Sequence, residues 1–396
     1  MKLRTLIFWP HLVAGVAAGL VILVMSATGA VLTYERQLVA WSDREFRSVP
    51  PSPGASRLPV EAILETLKRE HPEIAPTAVT QASAADAPVT LAVPQRTLYV
   101  DAYSARLLGD GSQTLRRFMS GTRAWHRWLA VEDDGRPIAR AITGWSSLIF
   151  LFIIASGFYL WFPRKWKWPQ IRAVVLFNAK ATGKARDFNW HNVIGVWSAI
   201  PLFIVVLAGL PISFPWANAL VYRMVGEEVP ARGGREGGGN RERRATGENA
   251  EAAAGSFDGL NALWSRAEQQ VEGWRTINMR IPESSRAPVV FAIDKGDGGQ
   301  PHLRSNLTLE RATGRVVTYE AFEDQSLGRR LRSISRFAHT GEVLGIPGQT
   351  IAGLATAGGA VLVWTGIALA WRRLRAWMKR RRLDRTESAS QQSSAA

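Results

Sequence analysis

Cysteine is absent from the chain, and that absence removes several chemistries at once. Iron–sulfur clusters, thiolate zinc sites, disulfides and covalent haem attachment through a CxxCH motif all need the thiol. Haem held by histidine alone does not. Also missing are an HExxH helix, a GxSxG elbow, a Walker loop and a GxGxxG in strand–helix context, so hydrolase, ATPase and nucleotide-linked readings have no site, and no catalytic side chain is assigned. Histidine is scarce, with six copies in 396 residues. Large apolar groups are nearly lacking from 228 to 256, where Gly, Ala, Arg and Glu dominate, and this insert is expected to be disordered.

Acidic residues are few where basic ones gather. The segments 1–10, 163–190 and 372–396 hold 17 Lys/Arg against 3 Asp/Glu, whereas the remainder holds 32 against 30. Nearly all of the net charge of +16 therefore sits beside apolar spans, which is the positive-inside pattern. A nucleic-acid partner would need a basic surface elsewhere, and none stands out.

What the chain does have is four apolar stretches, at 11–33, 141–162, 191–214 and 350–371. Each is long enough to cross a bilayer core of about 30 Å as a helix of about 20 residues. Tryptophans cluster near their ends (Trp9, Trp145, Trp161, Trp190, Trp216, Trp371), at the level where an amphipathic ring is favoured. The first stretch follows Lys2 and Arg4 and has small residues at 27–30, as a signal peptide would. Its apolar run continues to Leu32, however, and the third span repeats it, so it is expected to remain as a helix. The fold class expected is a membrane α-helical protein of the bacterial inner membrane, multi-pass, with both termini cytoplasmic. Its parts are a cytoplasmic start and first span (1–33), a periplasmic domain (34–140), a span (141–162), a cytoplasmic loop (163–190), a span (191–214), a second periplasmic domain (215–349), a span (350–371) and a basic cytoplasmic tail (372–396).

The chain repeats itself. His11 precedes Gly29 by 18 positions, and His191 precedes Gly209 by 18; Gly15 and Gly195 each follow their histidine by four. Arg123-Ala-Trp-His126 parallels Arg336-Phe-Ala-His339. Gly144 to Gly157 and Gly353 to Gly366 are both 13 apart, and each series ends as Ser/Thr-Gly before a basic run. The outer segments match as well. A helix over 58–70 with one apolar face precedes strands near 78–81, 89–93 and 97–101; a helix over 257–271 precedes strands near 276–281, 288–293 and 303–309. Asp101-Ala-Tyr-Ser-Ala-Arg106 aligns with Glu310-Arg-Ala-Thr-Gly-Arg315 as a turn between strands. The expectation is two tandem helix–domain–helix repeats carrying two small α+β domains.

Four histidines hold repeat-equivalent places. His11 and His191 open spans one and three at the cytoplasmic side; His126 and His339 lie in the approaches to spans two and four, outside. A single histidine at a span end is most often an interfacial polar group, but two face-matched pairs ask for more, since ionisable groups at membrane depth tend to be functional. Imidazoles facing each other across a bundle suit axial haem ligation, and the same geometry could hold copper or zinc. Two imidazoles make an incomplete zinc site, and no carboxylate lies within a turn of the spans' histidines to complete it. His11, Gly15 and Gly19 fall on one helical face, and Gly15 and Gly195 leave room for a flat macrocycle, although small residues also serve helix packing. Arg123 and Arg336, three before their histidines, are placed to bind haem propionates.

The segment from His339-Thr-Gly-Glu-Val-Leu-Gly-Ile-Pro-Gly, the Thr365-Gly366 pair, and Phe158-Tyr-Leu-Trp-Phe-Pro-Arg-Lys165 resemble the PepSY-associated transmembrane family, over nearly the whole chain from about His11 to about Arg373. The resemblance implies PepSY-like periplasmic domains and, through members that are di-haem reductases of ferric siderophores, two haems b with His11, His191, His126 and His339 as axial ligands. The partners implied are the lipid bilayer, a ferric siderophore as substrate for iron uptake, and an electron donor that it does not identify. The rival expectation is a non-catalytic scaffold whose outer domains bind a peptide, a peptidase or an envelope partner.

Overall fold

The structure, a computed structural model, describes residues 3–163, 166–230, 257–282, 284 and 286–394, with side-chain surroundings as far as 382. From residue 231 on, the insert expected to be disordered lies outside the described residues, as do Arg164 and Lys165. The chain forms two compact units, one of residues 1–34, 119–218 and 338–396, the other of residues 35–118 and 219–337.

In chain order the elements are α1 (Leu3–Leu32), α2 (Glu35–Ser42), α3 (Val60–Glu70), β1 (Ala78–Ala82), β2 (Val89–Val93), β3 (Arg96–Val100), β4 (Leu107–Asp110) and α4 (Gln113–Trp128). There follow α5 (Arg136–Trp161), α6 (Trp168–Val175), α7 (Gly183–Ser213), α8 (Pro215–Arg223) and α9 (Leu260–Gln270). The chain then continues through β5 (Thr276–Arg280), β6 (Val289–Asp294), β7 (Arg304–Leu309), β8 (Val316–Ala321), α10 (Leu327–His339) and α11 (Gly345–Ser394).

The first unit is a four-helix membrane bundle. Four helical stretches are long and apolar enough to cross a bilayer, at Leu3–Leu32, Asp133–Trp161, Gly183–Ser213 and Glu342–Arg382. Each of α1 and α7 packs against both α5 and α11, so α1 and α7 stand diagonally across the bundle. The helices begin earlier than the apolar runs do, at Leu3 and Gly183 where the sequence places the spans from 11 and 191. A helix satisfies its backbone whether or not its side chains are apolar, so polarity marks the membrane boundary and not the helix boundary. His11 and His191 consequently sit about two turns inside α1 and α7 rather than at their starts. Small residues let the helices approach closely. A Cβ on Gly353 would meet Thr33 at 2.8 Å, one on Gly358 would meet Ser198 at 2.7 Å, and one on Gly144 would meet the Phe214 ring at 3.0 Å. Apolar packing of Ala18, Ile22, Phe150, Ile154, Ala199, Leu202, Val206 and Ala355 fills the middle of the bundle.

In the second unit the two expected α+β segments contribute their strands to a single sheet. Its eight strands form one antiparallel sheet in the order β4-β3-β2-β1-β5-β6-β7-β8, joined at the centre by β1 and β5, with Thr80 opposite Asn278. Pairing these two strands removes two open edges, each a row of unpaired N–H and C=O groups. Asn278 also donates to the Thr80 hydroxyl at 2.7 Å across the join. Alternate residues of the strands point into one core (Val79, Leu91, Leu98, Val100, Ile277, Met279, Phe291, Leu307), which α3 covers with Ile63, Leu64 and Leu67 and α9 with Leu260, Leu263 and Trp264. The two helices cap each other. The Asn261 Oδ1 accepts from the Glu61 backbone N–H at 3.0 Å, and the Glu61 carboxylate accepts from the Asn261 backbone N–H at 2.9 Å and from its side-chain amide at 2.8 Å. Each thereby satisfies a first-turn N–H that its own helix leaves orphaned.

Candidate cofactor-binding site

Four imidazoles of the bundle are held by one device used four times. The ring of His11 on α1 lies on Gly157 of α5, where a Cβ would come 3.2 Å from its Cε1; that of His191 on α7 lies on Gly366 of α11, at 3.3 Å. At the other end His126 of α4 lies on Gly29 of α1, at 3.2 Å, and His339 of α10 lies on Gly209 of α7, at 2.8 Å from Nδ1. Glycine is what allows a flat ring to rest on a helix backbone.

The residues preceding those glycines fix the rings. Nδ1 of His11 is 2.9 Å from the Ser156 hydroxyl, and Nδ1 of His191 is 3.0 Å from that of Thr365. Both hydroxyls already donate to a carbonyl of their own helix, Ser156 to Phe152 and Thr365 to Val361, so toward the imidazole they accept. Nδ1 of His126 lies 3.1 Å from the Thr28 hydroxyl and 3.0 Å from the Met25 carbonyl, and Nδ1 of His339 lies 2.8 Å from the Val205 carbonyl. In both of these cases the carbonyl belongs to the residue four before the glycine. A carbonyl, like a hydroxyl that already donates elsewhere, can only accept, so each Nδ1 carries the proton and each Nε2 presents its lone pair. Among the described residues none of these Nε2 atoms makes a hydrogen bond. Histidines that ligate metals are commonly held in this way, with the other ring nitrogen tied to a carbonyl or hydroxyl that sets the tautomer.

The four rings form two pairs. The ring centroids of His126 and His339 are 6.1 Å apart, with planes tilted by 48°. Two imidazoles on opposite sides of one metal ion stand at that spacing, from two bonds of about 2 Å and two ring radii of about 1 Å. His11 and His191 line a single cavity of about 1360 Å³. Gly15 and Gly195 line it too, and at Gly15 no atom lies within 4 Å of where a Cβ would stand. Gly19, read from sequence onto the same face, instead packs against Ile367 at 3.3 Å. The glycines are thus divided between open space beside the histidines and close helix contact. Ring-bearing Gly29 and Gly209 lie 18 residues beyond His11 and His191 on the same helices, so the two pairs are roughly 27 Å apart along the bundle.

The cationic groups around this cavity are separate from Arg123 and Arg336, which precede His126 and His339 at the other pair. Arg123 and Arg336 are exposed on α4 and α10, and the Arg336 guanidinium lies over the Phe337 ring at 5.6 Å. The His11/His191 cavity is lined by Arg4, Lys184, Arg372, Arg373 and Arg380, residues visible in the sequence only as part of the positive-inside charge. Arg372 is anchored 2.9 Å from the buried carboxylate of Asp187, and Arg373 lies over the rings of Phe8 and Trp9. The indole N–H of Trp161, also at this cavity, is buried without an acceptor among the described residues. A flat, largely apolar group with two imidazole-binding positions and anionic substituents fits these features. The zinc alternative finds no support in the side chains, because among the described residues no three of His, Asp and Glu converge as ligands.

No curated protein matches the chain. The family described as PepSY-associated TM region matches residues 8–373. With the match running from the first histidine-bearing helix through the last, the chain belongs to the PepSY-associated transmembrane family of membrane proteins.

Proposed function

We propose that this protein carries electrons outward across the bacterial inner membrane, using two b-type haems, and reduces a periplasmic ferric chelate of the siderophore class. In this reading the chain is two tandem helix–domain–helix units with both termini cytoplasmic. His11 and His191 ligate one haem near the cytoplasmic face, and His126 and His339 ligate the other near the periplasmic face. The observation that carries the reading is the fourfold device: four imidazoles, each seated on a glycine, each with Nδ1–H tied down and Nε2 unengaged, in two pairs at opposite ends of one bundle.

Haem bound through two imidazoles supplies one-electron transfer with no coordination position left for substrate. The chain's own residues do the rest. Gly15 and Gly195 keep the inner cavity open beside the ligands, and the arginines and lysine at its rim neutralise carboxylates that would otherwise lie at membrane depth uncompensated. The apolar layer around Ile22, Phe150 and Leu202 keeps water from connecting the two ends. Reducing iron(III) to iron(II) weakens its hold on hard oxygen ligands, which releases the metal for uptake. The positive-inside charge supports the orientation, with the cavity's basic rim toward the cytoplasm.

The test is spectroscopic. Purified from haem-replete cells, the protein should be red, with a low-spin spectrum. His11→Ala and His191→Ala should each lose the same haem, while His126→Ala and His339→Ala should each lose the other. Spectra in which His11→Ala and His339→Ala lose one haem in common would refute the pairing.

A further inference from the structure

The fourfold device has one departure. Ser156, Thr28 and Thr365 precede the ring-bearing Gly157, Gly29 and Gly366, and each hydroxyl lies beside the Nδ1 of the histidine seated there, at 2.9, 3.1 and 3.0 Å. The residue before Gly209 is Ala208. His339 therefore keeps the Val205 carbonyl and lacks the hydroxyl, whereas His126, its partner across 6.1 Å, has both the Thr28 hydroxyl and the Met25 carbonyl.

An acceptor on Nδ1–H draws that proton outward and leaves the ring more electron-rich, which raises the basicity of Nε2 toward a metal. A more basic axial imidazole favours the ferric over the ferrous state, so removing an acceptor raises the midpoint potential. We propose that Ala208 is a tuning residue: by withholding a hydroxyl from Nδ1 of His339, it raises the midpoint potential of the site that His126 and His339 form. It acts through the imidazole and touches neither metal nor substrate, so it is a positioning residue and not a catalytic one. The proposal rests on the haem reading above.

The helix geometry supplies its own control. Valine and threonine have the same shape and differ by the hydroxyl, and Thr28 shows that a threonine hydroxyl at this place bonds back to the helix carbonyl four residues earlier, at 2.6 Å to Val24, while remaining an acceptor for the ring. Ala208→Thr and Ala208→Val are made in the full-length, haem-loaded protein. Midpoint potentials are read by spectroelectrochemical titration, and the wave belonging to this site is assigned as the one that His339→Ala removes. Ala208→Thr should lower that wave and leave the other unmoved; Ala208→Val should leave both unmoved. Thr28→Val, which removes the hydroxyl from the same site's other ligand, should shift the same wave upward. Equal shifts for Thr and Val at 208, or a Thr28→Val protein with unchanged potentials, would overturn the proposal while leaving the haem reading intact. A colourless protein would remove both.

Discussion

His339 sits on Gly209 more tightly than any of the other three histidines sits on its glycine, with the place of a Cβ only 2.8 Å from Nδ1. Gly209→Ala must therefore push the ring away or part α10 from α7. Overpacking of that kind costs about 1–3 kcal/mol. Thermal unfolding in detergent should show the largest loss for Gly209→Ala, smaller losses for Gly29→Ala, Gly157→Ala and Gly366→Ala, where the gap is 3.2–3.3 Å, and none for Gly15→Ala. A Gly209→Ala protein as stable as the parent would mean that the ring does not rest there.

Gly15 and Gly195 make a different prediction, since both line the cavity, Gly15 with nothing within 4 Å of where a Cβ would stand and Gly195 with only Leu362, at 3.6 Å. Gly15→Leu and Gly195→Leu should leave the haem-free protein folded, as judged by its melting temperature, yet reduce the haem retained by the inner site. Unchanged haem retention would show that the macrocycle does not lie against these positions.

In the sheet unit, Glu61 and Asn261 hold α3 and α9 together by reciprocal capping. Asn261→Ala should destabilise the protein by about 1–2 kcal/mol, the scale of a lost cap. Asn261→Asp should destabilise it more, because it sets a second carboxylate against Glu61. A double-mutant cycle with Glu61→Ala should give a coupling of at least about 0.5 kcal/mol; strict additivity would show that the two side chains do not meet.

Much of this architecture can be read from the residues. Apolar runs of about 20 residues mark the four spans, and equal spacings from His11 to Gly29 and from His191 to Gly209 reveal the matched register of the histidines. The strands at 89–93 and near 276–281 follow from period-two alternation. Three features are not legible, each for a physical reason. The role of Gly29, Gly157, Gly209 and Gly366 depends on which helix faces which, and a spacing along one helix carries no information about its neighbour. The single sheet depends on β1 pairing with β5 across nearly 200 residues, a choice that neither strand's own pattern specifies. The short helices α2 and α8 have no apolar stripe of their own to announce them. The cavity's basic lining is visible as charge, but only the fold shows that Arg372 is turned to Asp187 and Arg373 to Phe8 and Trp9.

Orientation is tested separately from chemistry. Reporter fusions at Gly54 and Gly238 should give a periplasmic signal, and one at Lys180 a cytoplasmic signal. A cytoplasmic signal at Gly54 would reverse the orientation, and the His126/His339 pair would then face the cytoplasm.

Asp187 ties the rim of the His11/His191 cavity together, accepting from both Arg186 and Arg372 while itself buried. Asp187→Asn should lower stability by about 1–2 kcal/mol, less than for a fully buried pair because both arginines are about half exposed. It should also weaken haem retention at the His11/His191 site without altering the spectrum of the other. Equal loss at both sites would point to general unfolding instead.

If each histidine pair holds one haem, the haem-to-chain ratio of the purified protein shows it. Pyridine haemochrome assay of the purified protein against its concentration should approach two per chain, falling to one in His11→Ala or in His339→Ala and to none in the double variant. A parent ratio near one would make one of the pairs structural. A ratio near zero from haem-replete cells would rule out haem-borne electron transfer and favour a scaffold role for the membrane bundle and its sheet.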